Sequence, residues 1–74
     1  MTYGKHKISV QEREKRKHDI EQALAIVRLE GQYPGINVIS TYDDYINGEL
    51  TWEECSALIP LAAIKDLRIQ HHAS

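Results

Sequence analysis

The stretch Ala23-Leu24-Ala25-Ile26-Val27-Arg28-Leu29-Glu30-Gly31 puts a carboxylate at the end of a helix where a carboxylate is disfavoured. Gly31 supplies the left-handed residue on which helices commonly stop, and Pro34 follows where it cannot continue the helix. A helix C-terminus carries roughly half a negative charge on its unpaired carbonyls, so an acid there is unfavourable by about 0.3–1 kcal/mol unless a cation meets it. Glu30 is therefore the residue to explain. Its cation could come from its own chain, with Arg28 or Lys65 as candidates, or from another molecule.

Upstream, Ser9 and Glu12 have the S-x-x-E spacing of a capping box, which predicts one long helix over about 10–30. Its halves differ in chemistry. From Gln11 to Asp19 there is no apolar residue, so the first half, with Arg13-Glu14-Lys15-Arg16-Lys17-His18, is expected to stand in solvent with Glu12/Arg16 and Glu14/Lys17 pairs. From Ile20 on, Ile20, Ala23, Leu24 and Val27 form one core-facing stripe, yet Ala25, Ile26 and Leu29 fall outside it. A turn that is apolar on nearly every side must be covered on nearly every side, and 74 residues provide little material for that. A second protein is the simplest cover.

Beyond the Tyr33-Pro34-Gly35 turn, Asn37 is placed to cap a second helix over about 38–46, with Val38, Ile39, Tyr42, Tyr45 and Ile46 at helical spacing. Asn47-Gly48 ends it, with Leu50 folding back on its last turn. Thr51 and Glu54 form another capping box and open a third helix over about 52–69, which Pro60 should kink or break. No stretch alternates like a half-buried strand. The expected fold is all-α: a single domain over 10–70 made of three or four helices, preceded by a flexible tail over 1–9.

Composition narrows the function. A lone cysteine, Cys55, allows neither an intrachain disulfide nor a cysteine-rich metal site, and its place on a helix face suits a small buried apolar residue. No run approaches a membrane span and the N-terminus lacks a signal-peptide core, so a cytoplasmic location without membrane contact is expected. Residues 1–18 carry six Lys/Arg against two acids, and 19–74 carry three against nine. The basic segment 13–17 gives one alternative function, a nucleic-acid-binding or regulatory module. Against it, no aromatic is interleaved for base stacking and the acidic body would repel a polyanion.

No catalytic constellation emerges. His6 and His18 lie on the charged arm and the adjacent His71 and His72 lie at the C-terminus, none with a carboxylate or cysteine at metal-ligand spacing. Asp43-Asp44 and Glu53-Glu54 are adjacent pairs that do not converge on one substrate atom. Ser9, Ser40 and Ser56 lack a surrounding His and acid. Neither an enzyme nor a cofactor or metal site is expected. The chain could still place one charge, Glu30, into another protein's site.

Arg28-Leu29-Glu30-Gly31 after Ala23-Leu24-Ala25, with Gly48-Glu49-Leu50 a short helix later, resembles the small antitoxins of Fic-domain toxins, the VbhA-like class, over about residues 18–58. The resemblance implies a three-helix antitoxin that wraps a Fic adenylyltransferase, its inhibitory helix carrying the motif [S/T]-x-x-x-E-[G/N]. The motif Glu maps onto Glu30 and its Gly onto Gly31, while Ile26 stands where the family has Ser or Thr. In such a pair the antitoxin glutamate would occupy the toxin arginine that should clamp the γ-phosphate of ATP. Diverting that arginine suppresses nucleotidyl transfer, because such reactions depend chiefly on positioning and charge stabilisation. Leu24, Val27, Leu29, Tyr42, Tyr45 and Trp52 are the candidate anchors, since large apolar and aromatic residues dominate binding hot spots. An adaptor that holds a larger partner without inhibiting it would use the same surface and give Glu30 no role.

Overall fold

Four of the helix ends are set by local signals that lie where the sequence places them. In the computed structural model, which describes residues 2–73 and the side chains of 2–69, the helices are α1 (Val10–Leu29), α2 (Ile36–Ile46) and α3 (Trp52–Ala73). Ser9 caps α1, its Oγ accepting from the Glu12 amide at 3.1 Å. The Glu12 carboxylate turns away to Arg16 at 3.2 Å, so half of the expected capping box forms. At the far end Gly31 takes a φ of +83°, its amide donating to the Arg28 carbonyl, and the Gln32 amide reaches back to Val27. Gly48, with a φ of +80°, closes α2 in the same way, with Glu49 reaching back to Asp44. The capping box of α3 is complete: the Thr51 amide donates to Glu54 Oε1 at 2.9 Å, and the Glu54 amide donates to Thr51 Oγ1 at 3.2 Å.

The start of α2 differs from expectation. Asn37 is not its cap; the helix begins at Ile36 behind Gly35, which has no side chain to cap with. The cap comes from α3, where the buried Asp66 accepts from the Asn37 amide at 2.9 Å, the Val38 amide at 3.1 Å and the Asn37 side chain at 2.9 Å. Gly35 is needed because a Cβ there would collide with the Asp66 carboxyl carbon. Burial pushes the Asp66 carboxyl up, but the three hydrogen bonds outweigh burial and hold it below the usual carboxylate range.

α2 is the central element, packed along α3 and more sparsely on α1, while the α1 and α3 backbones do not approach each other. The fully buried Cys55 lies with Val38, Ile46, Ala62 and Ile20 in a thin core. Burial and nearby Asp44 push its thiol up, as suits a packing residue. Pro60 does not break α3, which is one continuous helix. Cys55 and Ile59 before it, and Ala62 and Asp66 after it, are buried or half-buried on the side away from the exposed Pro60, so packing holds both halves in one element.

Two further expectations are corrected. Residues 1–9 were expected to be a tail; residues 2–9 contain an antiparallel pair of strands, β1 (Thr2–Tyr3) and β2 (Ile8–Ser9), with Thr2 opposite Ser9 and Tyr3 opposite Ile8. The hairpin seats on Gly48, whose carbonyl accepts from the His6 amide at 2.8 Å, and it buries Ile8. The charged half of α1 does not stand wholly in solvent. Arg16 donates to the Tyr45 and Leu50 carbonyls at 2.8 and 3.2 Å and lies 4.4 Å over the Tyr45 ring. Arg13 donates to Asn47 Oδ1 at 3.0 Å and lies over Tyr3. The long stems and planar heads of arginine let this face pack without apolar residues.

Because Asp66 has a folded-state value below the 3.8 of an unperturbed aspartate, its stabilisation is complete above that pH and is lost as the pH falls through the folded value. Asp66→Asn should melt several degrees below wild type at neutral pH, and the gap should narrow under acid conditions; circular-dichroism melts across that range check this. Arg16→Ala, which orphans two carbonyls, should cost about 1–3 kcal/mol in urea denaturation.

Candidate functional site at the end of the first helix

The last two turns of α1 divide into an inward and an outward side. Leu24 and Val27 are half-buried, lining a cleft with Val38 and Tyr42 of α2 and Ile59 and Ala63 of α3. Ile26 and Leu29 point the other way, 58 % and 88 % exposed. Glu30 follows as the C-cap residue and is also exposed. Ile26, Leu29 and Glu30 stand at i, i+3 and i+4, so two apolar side chains and one carboxylate share a face.

The charge on that face is uncompensated within the chain. Among the described residues, no Lys, Arg or His nitrogen lies within 4.0 Å of the Glu30 carboxylate; neither Arg28 nor Lys65 pairs with it. Full negative charge thus adds to the negative end of a helix 20 residues long. Gly31 makes the end possible through its backbone angle alone, since a Cβ there would meet nothing within 4 Å. The arrangement has no nucleophile or proton-transfer pair; what it can do is accept a cation against an apolar surround.

The candidate anchors fall into two groups. Leu24, Val27, Tyr42 and Tyr45 are half-buried among their own chain's residues, and Tyr45 lies between Arg16 and the edge of Trp52, with ring centroids 5.4 Å apart. Leu29 and Trp52, the latter 53 % exposed, are open to a partner. Tyr33 and Ile36, each 75 % exposed just beyond Gly31, are further large apolar side chains left uncovered and were not singled out from sequence. The signal was present in two large apolar residues flanking Pro34-Gly35, in a connection too short to bury them.

Elsewhere the chemistry is structural. His6 does meet a carboxylate, Glu54, at 3.0 Å, a pairing across 48 residues that local spacing could not reveal. The Thr51 amide, and after it the His6 ring, hold the Glu54 carboxyl below its usual range. No group of three or more metal-ligating side chains occurs among the described residues, and the side chains of His71 and His72 lie outside them. Of the basic run, Arg13 and Arg16 are committed inside the fold, which leaves less cationic surface for a polyanion than the sequence suggested. Among the described residues no helix is long and apolar enough to cross a membrane. Comparison with protein-family models, curated proteins and solved structures finds no match to this chain.

The two sides of α1 should respond differently to mutation. Ile26→Ser and Leu29→Ser should change folding stability by less than about 0.5 kcal/mol, whereas Leu24→Ala should cost about 1–3 kcal/mol, in urea titrations.

Proposed function

We propose that this chain is an antitoxin-like inhibitor of a Fic-domain adenylyltransferase, with Glu30 as the inhibitory group. The observation that carries the reading is the exposed, unpaired Glu30 carboxylate on the terminus of a long helix, flanked on its own face by exposed Ile26 and Leu29. In this reading α1 acts as a rod about 30 Å long that carries the carboxylate into the toxin's nucleotide site. There it pairs with the arginine that would otherwise hold the ATP γ-phosphate. The pairing resolves the conflict between acid and helix dipole, and the apolar neighbours exclude water from it, which strengthens it. Ile26, in the place of the motif hydroxyl, offers an apolar contact to the toxin instead of a hydrogen bond.

Such a design separates affinity from inhibition. Ile26, Leu29 and the exposed aromatics carry the contact area, and Glu30 carries the effect on nucleotide transfer.

The test is adenylylation by a Fic-domain adenylyltransferase of the class whose antitoxins carry this motif, with labelled ATP, in the presence of wild type or Glu30→Gly. Wild type should suppress transfer, and Glu30→Gly should release it while co-purifying with the toxin as wild type does. Suppression that is undiminished in Glu30→Gly would overturn the role of Glu30.

A further inference from the structure

α3 carries a second exposed apolar surface that the function above does not use. With 100° per residue, Glu54, Leu58, Ile64, Lys65 and Arg68 all project within about 60° of Leu61. Leu58, Leu61 and Ile64 are 40 %, 57 % and 47 % exposed, and they floor an open groove of about 440 Å³ whose opposite wall is the polar edge of α2. The acid lies at one end of this stripe, the two cations at the other, and the apolar residues between them.

That pattern is self-complementary. Rotated by 180° about Leu61, the stripe superposes Glu54 on Arg68 and Leu58 on Ile64, and leaves Leu61 facing its own copy. Antiparallel pairing also sets the positive end of each helix against the negative end of the other. Glu54 has an oxygen to offer, since its described hydrogen bonds to Thr51 and His6 both use Oε1. The need for such cover is physical: the described core holds only Ile8, Ile20, Val38, Ile46, Cys55 and Ala62 as buried apolar residues, and chains this small commonly draw support from oligomerisation.

We infer that the occupant of this face is a second copy of the chain, docked as an antiparallel α3–α3 homodimer about a two-fold axis at Leu61, with Glu54 of each copy meeting Arg68 of the other. The contact is isologous, so one substitution changes both halves. It lies on α3, whose backbone does not approach α1, so the Ile26–Glu30 end of α1 is not needed for it.

Sedimentation equilibrium of the full chain tests this without any toxin. At about 100 μM, enough to populate a dimer of micromolar Kd, wild type should sediment at twice its 8.5 kDa monomer mass. Leu61→Glu and Leu61→Lys each bring like charges together on the axis and should weaken association at least about a hundredfold, while circular dichroism shows each still helical. Mixing the two variants should restore a dimer, because residue 61 meets residue 61 only in this register. Arg68→Glu, which sets two acids against each other at both ends, should weaken association at least about tenfold. A monomeric wild type, a dimer indifferent to Leu61→Glu, or a mixture that stays monomeric would each overturn the proposal.

Discussion

The carboxylate of Asp66 is the constraint on which the arrangement of α2 and α3 depends. α2 starts at a glycine that cannot cap it, so its first amides would be buried or solvated without a partner. Asp66 satisfies two of them and the Asn37 side chain from the middle of α3. An acid at a helix N-terminus also meets the positive end of the dipole, the reverse of the situation at Glu30. The contact requires close approach, and Gly35 is the residue that permits it. One side chain thereby sets where α2 begins and at what level of α3 it is held.

α1 is attached by different means. Where apolar residues are missing from its first half, Arg13 and Arg16 reach across to the end of α2, lying over Tyr3 and Tyr45 and bonding Asn47 and the carbonyls of Tyr45 and Leu50. Cations placed on aromatic faces and backbone carbonyls hold the helix at its N-terminal half, and Leu24 and Val27 complete the packing on one side only. The outer side of the last two turns receives nothing from the chain. The helix is thus held on one side and bare at its tip, and in the proposed function that bare tip is what carries the charged group to the partner.

The two carboxylates make a physical contrast. Asp66 is buried, triply hydrogen-bonded and held ionised by those bonds; it serves the fold. Glu30 is exposed, unpaired within the chain and placed where the backbone opposes it; it does nothing evident for the fold. Residues that break a local rule without internal compensation are where function is expected, and the proposed inhibitory role rests on that asymmetry together with the Arg28-Leu29-Glu30-Gly31 resemblance.

Much of this was written locally. The stops at Gly31 and Gly48, the start at Ser9 and the Thr51–Glu54 box each depend on residues a few positions apart, so the helical character, four of the helix boundaries and the place of Glu30 at a helix end could be read from the chain alone. The departures all involve long-range partners. Asn37 looked like a cap because Asp66, 29 residues on, was invisible to local spacing. Arg13 and Arg16 looked solvated because their acceptors lie about 30 positions on, at the end of α2, and residues 2–9 looked unstructured because their seat is Gly48. Pro60 looked like an interruption because the packing of α3 on either side of it could not be seen. The sequence by itself determined which segments are helical, how they end and that an acid stands at the wrong helix terminus. Only the tertiary structure decided which polar groups meet and which apolar faces stay uncovered, because those outcomes depend on distances between residues that the chain separates by tens of positions.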